Sequence, residues 1–274
     1  MFNKIILDIK REKSYSNVSN RIIQSLDNKT LTPIIESYLK EIKPNLNSKK
    51  EYTKTIKEIR KNLEGVYGAF NPEIKKRNKI LRLLKKDSMN IELHKRILST
   101  HLSSRERLAE YPEIYKRIFE TTGKPKIILD IASGINPVSI PFMNLDKIEY
   151  IAVEINREDI KFLEEYFSII KDKYNVNGKA LQKNLIEKNN FPESDVCFIF
   201  KALDNLETLR TNITRHLLKS IPTKYFVISF PTKTLYKKRL NIKRLAWFNK
   251  LVKQPIKFNT KNEIFYIVKK ENVY

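Results

Sequence analysis

Lys126-Ile-Ile-Leu-Asp-Ile-Ala-Ser-Gly-Ile-Asn-Pro137 is a continuous apolar run that stops abruptly in small and turn-forming residues, with a carboxylate, Asp130, just before the stop. It reads as a buried strand opening into a ligand loop. A strand that is apolar on both faces belongs in a parallel sheet covered by helices, and such sheets bind ligands off the carboxyl ends of their strands. Gly134 would let the backbone approach a ligand closely. A full dinucleotide fingerprint has three glycines where this loop has one, so the usual motif for NAD is absent.

The chain on either side divides by periodicity. From Met1 to about Phe119 apolar residues recur at three- and four-residue steps, glycine is sparse, and Pro33, Pro44 and Pro72 mark loops. These features predict an all-α N-terminal domain over 1–120 and a second domain over 121–274. In the first, Ile56, Ile59 and Leu63 share one helix face, with Lys57, Arg60 and Lys61 away from it. Around Gly65-Val-Tyr-Gly-Ala-Phe-Asn-Pro72 the helix must break, and the basic cluster Lys75-Lys-Arg-Asn-Lys79 follows. Ser103 or Ser104 is expected to cap the next helix. That would put Arg107 in its first turn, against the helix dipole and facing an anion.

After Gly123 strands alternate with helices. Strands are predicted at Ile127–Ile131, Ile148–Glu154, about Lys179–Gln182, Val196–Leu203 and Tyr225–Phe230. A helix capped by Asn156 should follow the second strand, with Glu158 and Asp159 suiting its positive end. Two last strands, Ile256–Asn259 and Ile264–Val268, are separated by a polar turn and suggest a hairpin. An α/β sheet that ends in an antiparallel hairpin resembles the class I methyltransferases, which use S-adenosylmethionine.

The formal charge of +23 is shared by both halves and points to a polyanionic partner, RNA, DNA or an anionic membrane, which would relieve the self-repulsion. Between Lys233 and Lys257 stand nine Lys/Arg residues and no acid: Lys233, Lys237, Lys238, Arg239, Lys243, Arg244, Lys250, Lys253 and Lys257. Trp247 and Phe248 fall inside this run, and helical spacing with Leu245 and Leu251 places at least one of them in the core. No stretch reaches the roughly 18–20 apolar residues that span a bilayer, and the N-terminal residues are too short and too charged for a signal peptide, so a cytoplasmic location is expected. The single cysteine, Cys197, lies in an apolar run and reads as a core thiol. His94, His101 and His216 are scattered, which makes no metal site credible.

Glu154 closes the second strand 20 positions after Gly134, where a carboxylate can accept hydrogen bonds from both hydroxyls of a ribose. Asp130 is expected to order the loop by accepting backbone N–H groups. The Asn-Pro-Pro-Tyr type loop of amino-group methyltransferases is missing after the fourth strand, where Lys201-Ala-Leu-Asp-Asn205 stands instead. A ring nitrogen with a free lone pair would need no such loop.

Taken together, these residues resemble the ribosomal RNA methyltransferases of aminoglycoside resistance, the Arm/Rmt and Kgm/Sgm group, over roughly Gly65 to Val268. His101-Leu-Ser-Ser-Arg-Glu-Arg107 is similar to that family's His-x-Ser-[ST]-x-Glu-Arg, and Asp130-Ile-Ala-Ser-Gly-Ile-Asn-Pro137 to its Asp-x-[GA]-Cys-Gly-x-Asn-Pro. Val227-Ile-Ser-Phe-Pro-Thr-Lys233 and Trp247-Phe248 match further pieces in the same order. Ala132 and Ser133 depart from the commonest Gly-Cys.

The resemblance implies S-adenosylmethionine as cofactor and guanine N7 of the small-subunit decoding site as target. It implies that Arg107 binds the methionyl carboxylate, that Gly134 passes under the cofactor, and that Glu154 replaces an aspartate at the ribose. Asp130, Ala132, Ser133, Asn136, Ile155 and Lys201 complete the implied cofactor contacts. Phe230 and Pro231 would border the target base. Lys201, Lys233, Lys237, Lys238, Arg239, Lys243 and Arg244 would hold rRNA, with Lys75, Lys76, Arg77 and Lys79 adding basic surface for docking by phosphate contact and shape. The expected partner is the small ribosomal subunit or its rRNA, met by a monomer, with neither membrane nor DNA involved. Two other readings stay open here: a methyltransferase of tRNA or another rRNA site, and a non-catalytic RNA-binding or ribosome-assembly protein of the same fold.

Overall fold

The computed structural model describes residues 2–11, 28–63, 74–233 and 240–274. Its contacts separate two compact units. The first comprises Met1–Asn71 with Asn184–Lys188 and Asp204–Thr214; the second comprises Pro72–Lys183, Asn189–Leu203 and Arg215–Tyr274.

In the first unit, α1 (Phe2–Arg11), α2 (Asn28–Ile42) and α3 (Lys49–Leu63) are amphipathic helices. They bury Ile5, Ile6 and Ile9, Leu31 and Ile35, and Ile56, Ile59 and Leu63. The apolar face read for α3 is therefore the buried one. Arg60, expected on its outer side, is buried instead, because the position after Ile59 lies at the seam with α1. Its Nη1 donates to the Ile9 carbonyl at 2.8 Å.

The second unit carries α4 (Ile74–Leu84), α5 (Ile91–Leu98), α6 (Leu102–Arg107) and α7 (Tyr111–Thr122) ahead of the sheet. The change of apolar periodicity predicts a domain boundary at 120. The packing division falls at 71/72, because Ile80, Leu81, Leu84, Leu93, Ile97, Tyr111, Ile114 and Ile118 enter the same core as the strands.

Seven strands form one sheet in the order β3-β2-β1-β4-β5-β7-β6. β1 is Ile127–Ile131, β2 Ile148–Glu154, β3 Val176–Gln182, β4 Ser194–Phe200, β5 Thr223–Pro231, β6 Ile256–Asn259 and β7 Glu263–Lys269. β1 to β5 run parallel, and β7 pairs antiparallel with both β5 and β6, so the terminal hairpin is as expected. The central strands are buried on both faces, which is why they read as unbroken apolar runs. β4 ends at Phe200 rather than Leu203, because Lys201 takes a left-handed backbone (φ 54) that leaves the ladder. After β2, α8 (Arg157–Ile170) starts under the Asn156 cap, whose side chain accepts from the N–H groups of Glu158 and Asp159.

The antiparallel strand has one consequence for the site. Since β7 runs against β5, its first residue lies where the parallel strands end, and Glu263 pairs in register with Pro231. Among the described residues no helix is long and apolar enough to cross a membrane.

Candidate active site

Five segments meet at the carboxyl edge of the sheet: the loop after β1, the end of β2, Lys201 after β4, α6, and the start of β7. His101 precedes α6 as its cap residue, so Ser103 and Ser104 lie inside the helix, and neither is the cap. Arg107 consequently sits in the last turn, where a cation suits the helix dipole.

Arg107 is nearly fully buried. Its Nε donates to Glu263 Oε1 at 2.8 Å, and its Nη1 to Asn136 Oδ1 at 3.0 Å. The guanidinium lies 5.0 Å from the centre of the Phe200 ring. Glu263 also accepts from Ser229 Oγ at 2.6 Å and meets Lys201 Nζ at 3.1 Å. Lys201 in turn reaches Glu106 at 2.5 Å. Burial alone would raise the Glu263 carboxyl, but the Arg107 and Lys201 cations and the Ser229 hydroxyl outweigh it and hold the group ionised. Burial likewise works against the Arg107 charge, and Glu263 more than compensates. Among the described residues no hydrogen bond occupies Arg107 Nη2, which leaves an edge of the guanidinium for an anionic ligand.

A second chain of contacts runs from Asn136 inward. Its Nδ2 donates to Asp130 Oδ2 at 3.0 Å, and the Tyr150 hydroxyl donates to the same oxygen at 2.6 Å. Asp130 thus orders the loop through two side chains rather than through the backbone N–H groups expected. Burial raises its carboxyl to about 6, against the pull of those two donors.

Glu154 stands at the far end of the loop. Its Oε2 accepts from Gly134 N at 2.9 Å, and its Oε1 from Ile155 N at 2.8 Å and Asn156 N at 3.2 Å. Burial, with the nearby Asp159 charge adding to it, lifts the carboxyl to about 7 despite these three donors. Gly134 has φ +51, and a Cβ there would come within 3.2 Å of His101 Nε2. The glycine is therefore required by the imidazole packed against the loop as well as by its backbone conformation. Burial and the Arg107 charge push His101 down to about 3, so the ring is neutral. Ser133 is buried, and Ala132 adopts a left-handed backbone (φ 53).

The chain matches the sequence profile described as "Ribosomal RNA methyltransferase (FmrO)" over residues 32–247. It belongs to the FmrO family. Within that family it is 28% identical over 188 residues to the 16S rRNA (guanine(1405)-N(7))-methyltransferase of Micromonospora rosea, covering 66% of this chain and 67% of the relative. The solved 16S rRNA methylase ArmA superposes with a TM-score of 0.56 at 30% identity, over 70% of this chain and 97% of ArmA. The 16S rRNA methyltransferase RmtF, solved with S-adenosyl-L-homocysteine, shares the fold at a TM-score of 0.70 and 20% identity, with 97% of each chain covered.

The remaining expected residues separate. Phe230 is fully buried, with Trp247, Phe248 and Tyr266 set edge-on around it, so it belongs to the core and presents no face to a base. Pro231 is half-buried, and its carbonyl accepts from Arg244 Nη2 at 2.8 Å. Lys75, Lys76, Lys79 and Lys243 are exposed, whereas Arg77 is fully buried and cannot serve as a docking cation. Lys233 is half-buried against Asn262 Oδ1 at 3.4 Å. Lys237, Lys238 and Arg239 lie outside the described residues.

Glu263 went unread in the sequence. A signal was present: from Thr208 to Asn262 the chain has no acid, so Glu263 is the first carboxylate after Glu207 and directly precedes an apolar strand. An isolated acid at such a boundary is a candidate for a buried ion pair.

Proposed function

We infer that this protein is an S-adenosylmethionine-dependent methyltransferase of small-subunit rRNA, acting on N7 of a decoding-site guanine. The observation that carries the reading is a carboxylate and a charged guanidinium held at opposite ends of one loop, Glu154 through Gly134 and Arg107 through Asn136. This donor set fits the cofactor: Glu154 would accept from the ribose diol, the unoccupied edge of Arg107 would take the methionyl carboxylate, and Gly134 and Ile155 would lie along its length.

When bound, the cofactor supplies a methyl group on a sulfonium. Guanine N7 carries a lone pair and no proton, so the protein's task is alignment in a desolvated pocket rather than proton removal. Pro231 would border the base, with Phe230 setting its position from below. Lys201, Lys233, Lys243 and Arg244 beside the pocket, and Lys75, Lys76 and Lys79 on α4, would meet phosphates of the assembled subunit. The helical N-terminal region would add docking surface, and the enzyme would act as a monomer in the cytoplasm.

Titration calorimetry with S-adenosyl-L-homocysteine on wild type and Glu154→Ala tests the cofactor site: binding by wild type and at least a tenfold loss in the variant is expected. Primer extension on small-subunit rRNA from expressing cells tests the target. A stop at the decoding-site guanine after borohydride and aniline treatment is expected, and an unmodified decoding site would overturn the assignment.

A further inference from the structure

Arg107 closes α6 and Tyr111 opens α7, so one short turn of backbone sends both side chains to the loop after β1. Tyr111 is wholly shielded from solvent. Its hydroxyl donates to Asn136 Oδ1 at 3.1 Å, and Arg107 Nη1 donates to the same oxygen at 3.0 Å and to the hydroxyl at 3.5 Å. The three groups form a closed triangle. The Tyr111 ring is held in place by stacking, on Tyr115 with centroids 5.7 Å apart and on Phe142 at 6.0 Å, at interplanar angles of 13° and 9°.

The opposite edge of the Asn136 amide is fixed as well. Its Nδ2 donates to Asp130 Oδ2, the oxygen that also accepts from the Tyr150 hydroxyl. Two donors therefore face Oδ1 and a carboxylate oxygen faces Nδ2. Only one orientation of the amide satisfies both edges, because the flipped one would set its N–H groups against Arg107 and Tyr111. A planar guanidinium held at two nitrogens, Nε on Glu263 and Nη1 on Asn136, cannot turn to re-aim the third. The direction of Arg107 Nη2 is thus set by the Asn136 amide, and that amide by the two tyrosine hydroxyls.

We propose that Tyr111 is a positioning residue for the cofactor's methionyl carboxylate: with Tyr150, which works through Asp130, it locks the Asn136 amide and so aims the open edge of Arg107 at that group. This rests on Arg107 taking the methionyl carboxylate, as inferred above. Tyr111 touches no cofactor atom in this scheme and acts through Asn136 and Arg107.

The test compares two ligands on the full chain by calorimetry. One is S-adenosyl-L-homocysteine; the other is 5′-methylthioadenosine, which keeps the nucleoside and the sulfur but has no carboxylate, and whose weaker binding is measured by displacement. Wild type favours the first by at least about tenfold, the worth of a charge-assisted contact. Tyr111→Phe lowers S-adenosyl-L-homocysteine affinity by about fivefold to tenfold and leaves 5′-methylthioadenosine within about twofold. Tyr150→Phe acts in the same sense by about threefold, which keeps the test standing if Tyr111→Phe fails to fold. Tyr166→Phe removes a buried hydroxyl on α8, hydrogen-bonded to His94 at 3.1 Å, and leaves the ratio of the two affinities unchanged. Equal loss of both ligands in the Tyr111 and Tyr150 variants, no loss of either, or the same fall of the ratio in Tyr166→Phe overturns the proposal while leaving the cofactor reading intact. A wild type that binds neither ligand, or both equally, overturns the Arg107 reading as well.

Discussion

Among its described residues the second unit contains two buried arginine–carboxylate pairs, built differently. Glu263 is saturated: it accepts from Arg107 and Ser229 and meets Lys201, while Arg107 donates onward to Asn136. Asp159 has one cation, and that cation, Arg77, keeps two N–H groups without acceptors. A fully satisfied polar network in a low-dielectric interior specifies geometry, whereas a half-satisfied one costs stability and persists where it serves something else. The saturated pair stands at the proposed carboxylate end of the cofactor and the unsaturated one behind the proposed ribose end.

The most severe way to break this contrast is Glu263→Ala, which strands Arg107, leaves Lys201 with Glu106 alone and should cost about 3–5 kcal/mol. Urea unfolding measures it, and cofactor binding should be lost with it. Removing both members of each pair separates them further. Arg77→Met with Asp159→Leu should be neutral or stabilising, since it deletes two orphaned donors. Arg107→Met with Glu263→Leu should remain destabilising, since Lys201 and Ser229 lose the Glu263 carboxylate and Asn136 loses the Arg107 donor.

The two ends should also respond to pH with opposite sign. Glu263 is held below its ordinary value, so its contribution is present above about pH 4.5 and is lost as pH falls through its depressed value. Glu154 is raised from 4.5 to about 7, so the folded chain binds more protons than the unfolded one across that window. Its ionisation removes stability as pH rises from 4.5, and the loss is complete above about 7. At about 1.4 kcal/mol per unit, Glu154→Gln should raise stability at pH 8 by roughly 3 kcal/mol and leave it nearly unchanged at pH 4.5. Urea midpoints at the two pH values decide this.

How much of this was legible follows from sequence distance. The strands could be read because a strand buried on both faces is apolar throughout, and the Asn156 cap because its partners lie two and three residues away. The Arg107–Glu263 pair could not, because its members are 156 residues apart and meet through an antiparallel pairing that local pattern does not specify. Arg77 was misread inside a uniformly basic cluster. Yet its spacing of three and four residues from Ile80 and Leu81 already places it on the apolar face of α4. The family resemblance places Phe230 at the target base, but β5 runs on to Pro231, and strand alternation turns the Phe230 side chain into the aromatic cluster.

The smallest predicted effect concerns the loop that joins the two ends. Ala132 holds φ 53, a conformation that costs an L-residue with a Cβ about 1–2 kcal/mol and glycine almost nothing. Ala132→Gly relieves that strain but loosens the unfolded chain by about 0.4–1 kcal/mol, so the net gain should be about 1 kcal/mol or less. In a domain of this size that is a rise in Tm of about 2–4 °C by calorimetry. Ala132→Val should move Tm the other way, since a β-branched side chain tolerates positive φ least. The backbone amide of Gly134 and the amide of Asn136 are fixed by Glu154 and Arg107 rather than by Ala132. Ala132→Gly should therefore change S-adenosyl-L-homocysteine affinity by less than about threefold, under 0.7 kcal/mol. A larger loss of affinity alongside a raised Tm would mean that the strained residue itself holds the two anchors in register.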